Sequence, residues 1–154
     1  MGKLLVAMQG LPRSGKSTIA RQLSQQIGAP IVSRDAIRLA LTGQRYVELA
    51  EPIVKATSLL MIRALFHAGH VTVICDETNY SRAARDALKS PEWSTVFYEV
   101  STPPELCKVR AKNTGQEDLI PVIDMMWSRR EPLGDDEPRC GGEGIYETLH
   151  RSTF

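Results

Sequence analysis

The chain has 154 residues, of which 42% are hydrophobic and 24% are charged, and its formal net charge at pH 7 is +1. This length allows one compact domain, and the balanced composition argues against disordered, collagen-like and coiled-coil proteins. The three cysteines, Cys75, Cys107 and Cys140, are an odd number without C-x-x-C spacing. They argue against a disulfide framework and against a structural zinc site.

A short apolar run at residues 4–8 ends in a Gly/Pro cluster, which predicts a buried parallel strand. The run is shorter than a signal-peptide core, and no stretch approaches membrane-spanning length. We therefore expect a cytoplasmic protein that acts without a membrane.

Strands and helices are predicted to alternate along the rest of the chain. Apolar residues at helical spacing follow the first strand until Gly28 and predict a helix there. The later strand-like and helix-like runs are bounded by Gly and Pro. Further strands are predicted at residues 31–33, 71–75 and 96–100, and further helices at residues 36–41, 53–66, 83–88, 104–112 and 120–127. This alternation predicts a parallel sheet that is covered on both faces.

The composition shifts to Pro, Gly and acidic residues from Pro132 onward. We therefore expect one domain at residues 1–131 and a tail at residues 132–154. The tail is either mobile or contributes a final edge strand at residues 145–149, and the second alternative is favoured.

Residues 10–17 read G-L-P-R-S-G-K-S and fit the phosphate-binding pattern G-x-x-x-x-G-K-[ST] between a predicted strand and a predicted helix. The backbone N–H groups of such a loop point at phosphate oxygens, and the helix start adds partial positive charge. Lys16 is expected to reach the β- and γ-phosphates of ATP or another nucleoside triphosphate, and Ser17 to hold Mg²⁺. The predicted nucleotide-contacting residues are Gly10, Pro12, Arg13, Ser14, Gly15, Lys16, Ser17 and Thr18.

With this loop, the expected fold is an α/β, P-loop NTPase-type three-layer sandwich. It has a central, mostly parallel sheet of four to five strands and a helical lid at about residues 110–120. The loop does not choose the reaction, because kinases, GTPases and motor ATPases share it. No N-K-x-D motif for guanine recognition is present, and motor ATPases are normally larger.

Residues that follow two of the predicted strands are expected to determine which reaction the site catalyses. Asp35 follows the second strand, beside the phosphate loop, where a carboxylate can take a proton from an attacking hydroxyl. Arg38, one helical turn later, can bind an anionic group on the acceptor. Asp76 follows the third strand and is predicted to orient the water on Mg²⁺. The alternatives are structural, namely an N-capping Asp35 in an i,i+3 ion pair and a turn-forming Asp76.

The ordered motifs resemble the kinase domain of bacteriophage and bacterial polynucleotide 5′-hydroxyl kinases. The resemblance covers about residues 4–131. It rests on the phosphate loop, on R-D-x-x-R from Arg34, on D-x-T-N from Asp76, and on the Glu105-Leu106 pair that leads to Arg110, with Pro121 starting the next helix. The phosphate loop is generic, whereas the ordered combination is much more specific.

The resemblance implies roles for three residues. Asp35 would be the general base toward the 5′-hydroxyl, Arg38 would contact the 3′-phosphate of the acceptor nucleotide, and Arg110 would contact the nucleotide phosphates from the lid. The family pattern has a second lid arginine one turn later, but Lys112, Asn113 and Thr114 occupy that region here. Arg129 or Arg130 could take its place. The D-x-D-x-T signature of the family's phosphatase domain is absent, which predicts a kinase module alone.

The expected function is therefore ATP- and Mg²⁺-dependent phosphorylation of a 5′-hydroxyl nucleic acid. The alternatives are a small-metabolite kinase for a sugar, nucleoside or antibiotic and, third, a nucleotide-binding switch. Residues 1–89 hold twelve Lys and Arg against six Asp and Glu, a net +6 that either suits phosphate-bearing partners or arose by chance. No oligomeric state is predicted.

Four other side chains have structural interpretations. Arg82 and Arg85 flank the third strand-to-helix turn, where a solvated helix face is favoured over contact with nucleic acid. Trp93 could stack on a base, whereas Trp127 lies on the apolar face of its helix and is predicted to belong to the core.

Overall fold

The computed structural model describes residues 2–140, and the edge strand predicted at residues 145–149 lies outside them. The described chain forms a five-stranded sheet with six α-helices and two short 3₁₀ helices. The strands are β1 (Leu4–Gln9), β2 (Ile31–Ser33), β3 (Thr72–Asp76), β4 (Ser94–Glu99) and β5 (Arg139–Cys140). The helices are α1 (Lys16–Ile27), α2 (Arg34–Thr42), α3 (Glu51–His67), α4 (Arg82–Asp86), α5 (Pro104–Asn113) and α6 (Ile120–Arg129), and the 3₁₀ helices are Glu48–Ala50 and Glu117–Leu119.

The sheet has the order β2-β3-β1-β4-β5, and every pairing among the described strands is parallel. The central β1 pairs with β3 from Leu4 opposite Thr72 and with β4 from Leu4 opposite Ser94. All six residues of β1 are buried, which explains why its sequence is a continuous apolar run. The predicted α/β sandwich is confirmed, with five strands.

Two apolar layers cover the sheet. One packs α2 and α3 on one face through residues such as Ile37, Val54 and Ile62, and the other packs α1 on the opposite face through Ala20 and Leu23. A third cluster lies at the carboxyl edge of the sheet, where α5 and α6 meet the phosphate loop. No helix between residues 2 and 140 combines the length and the apolar character needed to cross a bilayer.

The first part of the expected tail packs on the domain. Leu133 is buried in the cluster of α2 and α3, and β5 pairs with the edge of β4 through Arg139 opposite Phe97. A two-residue strand is too short to show a periodic pattern in sequence. The edge strand seen here is therefore at a place that the sequence did not indicate.

Two predicted environments were wrong. Arg85 is fully buried rather than on a solvated face, because it pairs with the buried Glu137. Trp127 is 39% exposed rather than in the core, and the guanidinium of Arg130 lies 3.6 Å from the centroid of its ring. Trp93 is buried, stacks on Phe66 with a centroid distance of 5.2 Å, and is therefore not available to a base.

Candidate functional site

The carboxyl ends of the four longer strands meet at one edge of the sheet, and the predicted site residues lie on the segments that follow them. The phosphate loop follows β1, Arg34 and Asp35 follow β2, and the D-x-T-N motif begins with the last residue of β3. Helix α5, which carries Arg110, follows β4 after a short loop. Open α/β sheets bind ligands in the crevice at this edge.

The phosphate loop is tightly enclosed at Gly10. A Cβ atom at Gly10 would lie 2.8 Å from the carbonyl oxygen of Val100 and 2.9 Å from Ser14 Oγ. The amide of Gly10 also donates a hydrogen bond of 3.0 Å to Thr78 O, which ties the loop to the segment after β3. Arg13 and Gly15 have φ angles of 64° and 99°. Left-handed residues in such a loop let successive backbone N–H groups point to one side, which forms an anion-binding concavity.

Lys16 is the first residue of α1 and is buried. Its Nζ atom donates a hydrogen bond of 2.7 Å to Leu11 O and so lies over the loop. Burial lowers the pKa of the Lys16 ammonium, and the negative charges of Asp76 and Asp35 oppose that shift. The cation therefore lies at the loop, and the charges of both carboxylates that the sequence singled out act on it.

Ser17 and Asp76 are brought together. Ser17 Oγ donates a hydrogen bond of 2.7 Å to Asp76 Oδ2. Residues 2–140 contain no group of three or more His, Cys, Asp or Glu side chains that could enclose a metal ion. A hydroxyl and one carboxylate are nevertheless the donor set that suits Mg²⁺, which takes few protein ligands together with phosphate oxygens and water. The residues present fit magnesium bound with a nucleotide.

Asp35 lies on the exposed side of α2, and its side chain is 82% accessible. It does not cap the helix, because Ser33 Oγ accepts the hydrogen bond from the amide of Ala36 at 3.2 Å. Arg38 Nη1 donates to Asp35 Oδ1 at 2.8 Å, so the i,i+3 pair predicted as the structural alternative is present. The pair orients the carboxylate and leaves it open to solvent.

Arg38 also binds Glu51, which the sequence analysis missed. Its Nε and Nη2 atoms donate to the two carboxylate oxygens of Glu51 at 2.7 and 3.1 Å. The hydrogen bond from Arg38 is the main cause that lowers the pKa of Glu51. Glu51 is the first residue of α3 and belongs to no motif. It reaches Arg38 because the chain folds back after α2, which the sequence does not indicate.

Arg34 and Glu77 form a second pair beneath the site. Arg34 Nε lies 2.6 Å from Glu77 Oε1 and 3.4 Å from Ser58 Oγ on α3. Burial raises the pKa of the Glu77 carboxyl, while the charge of Arg34 opposes that shift. The pair fixes the start of α2 against β3 and α3, and it thereby fixes the position of Asp35.

Arg110 reaches the phosphate loop from α5. Its Nη1 atom lies 3.3 Å from Arg13 O and 3.2 Å from Ser14 O, and it donates to both. Beneath it, Leu11 of the loop is buried with Cys107 and Ala111 of α5 and Ile123 of α6. The guanidinium is therefore held at the entrance of the loop by a packed apolar base.

The region of the missing second lid arginine supplies no equivalent contact. Thr114 Oγ1 donates to Arg110 O at 2.9 Å and closes the end of α5, and Lys112 is exposed. Arg129 is also exposed, and Arg130 is held on its own helix, where Nη1 donates to Trp127 O at 2.9 Å. Of the predicted lid arginines, Arg110 is the one that the described structure brings to the loop.

A surface ion pair spans the two sides of the crevice. Arg45, in the loop after α2, pairs with Asp118 in the 3₁₀ helix between α5 and α6. Both side chains are largely exposed, so the pair adds little stability. It does show that the loop after α2 and the lid face each other.

Comparison by sequence matches residues 5–121 of this chain to a family model described as an AAA domain. None of the curated proteins matches the chain.

Solved structures share the fold. The chain is similar to a sugar kinase from Janibacter sp. HTCC2649, with 21% identity, a TM-score of 0.68 and coverage of 97% of this chain and 94% of that one. It is also similar to a gluconokinase from Sinorhizobium meliloti 1021, with 17% identity, a TM-score of 0.64 and coverage of 98% and 89%. A chain of the Pnkp1/Rnl/Hen1 complex has 26% identity and a TM-score of 0.56 over 71% of this chain and 39% of that one.

Proposed function

This chain belongs to the AAA domain family, and from that premise we propose that it is a P-loop kinase that transfers the γ-phosphate of ATP to the 5′-hydroxyl end of a polynucleotide. The phosphate loop, Lys16 and Arg110 supply the nucleotide side of this reaction. The motif order supports the polynucleotide acceptor, as does the likeness to a chain of the Pnkp1/Rnl/Hen1 complex.

The proposal is carried by one observation, the open position of Asp35. Its carboxylate is 82% accessible, is oriented by Arg38 and is near enough to Lys16 for its charge to affect the pKa of that ammonium. A base in this position can meet the end of a long chain without enclosing it. A pure nucleotide-binding switch has no use for such a base.

In the proposed reaction, Asp35 takes the proton of the 5′-hydroxyl as its oxygen attacks the γ-phosphorus. A new P–O bond forms to the acceptor, the bond from the γ-phosphorus to the bridging oxygen breaks, and ADP leaves. Lys16 and Arg110 stabilise the negative charge on the transferred group and the leaving oxygens. Magnesium held with Ser17 and Asp76 would neutralise charge on the β- and γ-phosphates.

A small-metabolite kinase is the second candidate, and Glu51 favours it. Arg38 faces the carboxylates of both Asp35 and Glu51, so much of its charge is already balanced before an acceptor binds. A neutral, hydroxyl-bearing acceptor would suit such a group. The fold-level neighbours named as a sugar kinase and a gluconokinase agree with this reading.

The two candidates are separated by the acceptor. The protein is incubated with γ-labelled ATP and Mg²⁺ and with 5′-hydroxyl oligonucleotides, a nucleoside 3′-monophosphate, the plain nucleoside and a panel of sugars. If Arg38 binds the 3′-phosphate through a charge-assisted contact of about 1.5–3 kcal/mol, kcat/KM favours the 3′-monophosphate over the nucleoside roughly 10- to 200-fold.

The matched variant is Arg38→Gln, which should remove most of that preference. Because Arg38 also orients Asp35, activity on both acceptors is expected to fall, and the test is the ratio of the two kcat/KM values. Equal use of the two acceptors by the unmodified protein would contradict the polynucleotide proposal. Label on a sugar and none on the oligonucleotide would establish the metabolite kinase instead.

A further inference from the structure

Arg85 of α4 is fully buried, and each of its side-chain N–H groups donates a hydrogen bond to a protein acceptor. Its Nε and Nη2 atoms donate to the two carboxylate oxygens of Glu137 at 2.8 and 3.0 Å. The remaining donors bind three carbonyl oxygens, those of Asn79 at 3.1 Å, Glu131 at 2.8 Å and Pro132 at 3.2 Å. One side chain thus connects the segment before α4 with two neighbouring segments that lie about 50 positions later in the sequence.

The first of these segments is the turn at residues 77–80, which follows β3 and Asp76. Asn79 is buried and has a φ of 47°, an uncommon value for a residue with a side chain. Its Nδ2 atom donates to Met8 O at 2.8 Å, and the Gly10 amide donates to Thr78 O at 3.0 Å. The turn therefore lies against the start of the phosphate loop, and it directly follows Asp76, the carboxylate that binds Ser17.

The second segment is the chain that directly follows α6. Glu131 and Pro132 follow α6, and the amide of Glu131 also donates to Tyr80 O at 2.8 Å. The third segment is the approach to β5, where the Gly134 amide donates to Glu137 Oε1 at 3.1 Å. Arg85 thus binds the turn to the chain that follows α6.

Packing alone does not account for this arrangement. A buried Arg–Glu pair loses the hydration of two ions, and apolar residues of similar volume often replace such pairs without loss of stability. Apolar side chains, however, could not hold the carbonyl oxygens of Asn79 and Glu131 at fixed positions. The planar fork of five donors on an arginine can do so, and the single ammonium of a lysine cannot.

We propose that Arg85, held by Glu137, is a positioning residue that fixes the turn at residues 77–80 so that Asp76 faces Ser17, and that it thereby sets the affinity of the site for the magnesium complex of ATP. This inference rests on the proposed function for the identity of the nucleotide. Residues that orient a metal-binding carboxylate typically change metal affinity 10- to 100-fold when they are replaced.

The test uses three variants of the whole chain. Arg85→Lys keeps the positive charge beside Glu137 but not the fork, and Arg85→Met combined with Glu137→Met removes both charges together. Arg82→Gln is the matched control, because Arg82 lies on the same helix, pairs with Asp136 at 2.6 Å and with Asp86 at 2.9 Å, and reaches Glu137 Oε1 only at 3.4 Å. The control removes these contacts, including the long one to Glu137, and leaves the Arg85 hydrogen bonds to the turn in place.

The dissociation constant for ATP is measured by calorimetry, with Mg²⁺ and again with a chelator, about 20 °C below the melting midpoint of each variant. With Mg²⁺, the two Arg85 variants should bind ATP about 10- to 100-fold more weakly than the unmodified protein. Without Mg²⁺ they should differ from it less than 3-fold, because the loop amides and Lys16 remain. Arg82→Gln should match the unmodified protein in both conditions.

A merely structural Arg85 would lower the melting midpoint and leave the affinity of the folded protein unchanged, and that result would overturn the proposal. Equal weakening with and without Mg²⁺ would also overturn it. Should the double variant not fold, the same ATP titrations are made on Arg85→Lys and on the isosteric Glu137→Gln. Because the measurement needs no acceptor, a failure to phosphorylate oligonucleotides would reject the proposed function without deciding this question.

Discussion

Asp35 is fixed by Arg38 on one oxygen and exposed to solvent, and this combination makes it the residue whose replacement is most informative. Asp35→Asn keeps the size and the hydrogen-bonding shape but cannot take a proton. We expect turnover to fall about 10²- to 10⁴-fold while ATP binding is retained. The measurements are steady-state kinetics and the dissociation constant for ATP.

Asp124→Asn is the control for this substitution, because Asp124 is an exposed carboxylate on α6 that pairs with Lys108 of α5. It should leave turnover unchanged. An equal loss of ATP affinity in Asp35→Asn would mean that Asp35 has a structural role only.

Gly10 is required by the close approach of Val100 O, which leaves no room for a Cβ atom. Gly10→Ala should therefore lower the free energy of unfolding by about 1–3 kcal/mol, as other overpacked sites do, and should weaken ATP binding as the loop shifts. Gly2→Ala is the matched control, because nothing lies within 4 Å of the corresponding Cβ position. Denaturant unfolding and ATP titration of both variants give the comparison, and equal results for the two would refute the steric account.

The motif-bearing residues could be predicted from sequence because each of them follows a strand, and parallel strands end at one edge. Glu51 and Arg85 could not be predicted in this way. Glu51 binds Arg38 because α3 packs against α2, and Arg85 binds Glu137, which lies 52 positions later in the sequence. Such partners depend on tertiary packing, which hydrophobic period and turn chemistry do not encode.

Helix α5 presents Arg110 to the carbonyl oxygens of the phosphate loop, and the apolar cluster of Leu11, Cys107, Ala111 and Ile123 holds it there. Arg110→Ala should lower turnover roughly 10²- to 10³-fold, because the transferred group loses a fixed cation. Lys112→Ala removes an exposed cation from the same helix and should have little effect. The measurement is kcat under saturating ATP.

The alternative is that Arg129 or Arg130, rather than Arg110, supplies the cation. If Arg110→Ala is mild and Arg129→Ala or Arg130→Ala is severe, the lid must rearrange when nucleotide binds. Arg130 would then have to leave the ring of Trp127, on which it lies in this structure.

Strand and helix positions were mostly evident from apolar runs that end at Gly or Pro, as for β1 and α1. The start of α2 was less evident, because Ser33 and Asp35 are both good capping residues, and the structure has Ser33 as the cap. The two residues of β5 carry no period at all. The sequence could therefore not show which of two possible residues caps α2, nor that a strand of two residues pairs with β4.

Across the whole molecule, two paired carboxylates should make stability depend on pH. Arg38 lowers the pKa of Glu51, and for Glu137 the hydrogen bonds from Arg85 and the Gly134 amide outweigh the upward effect of burial. A carboxylate whose folded pKa is lowered stabilises the fold above its unfolded pKa of about 4.5, and that contribution is lost as pH falls through the folded value. We expect the melting midpoint to drop as pH falls below about 4.5.

Glu137→Gln checks this expectation. It should lower the free energy of unfolding at pH 7 by about 3–5 kcal/mol, since it leaves a buried charge without its counterion, and should flatten the fall of the melting midpoint below pH 4.5. Asp118→Asn removes an exposed carboxylate that pairs with Arg45 and should change neither quantity much. An unchanged acid profile in Glu137→Gln would show that other groups govern it.

The central place of β1 has a consequence for synthesis. The ribosome makes this strand before its two neighbours, β3 and β4, which begin only at Thr72 and Ser94. At typical elongation rates of 5–20 residues per second, this apolar strand waits roughly 4–20 s for its second partner. During that interval it is the segment of the nascent chain best suited to a chaperone.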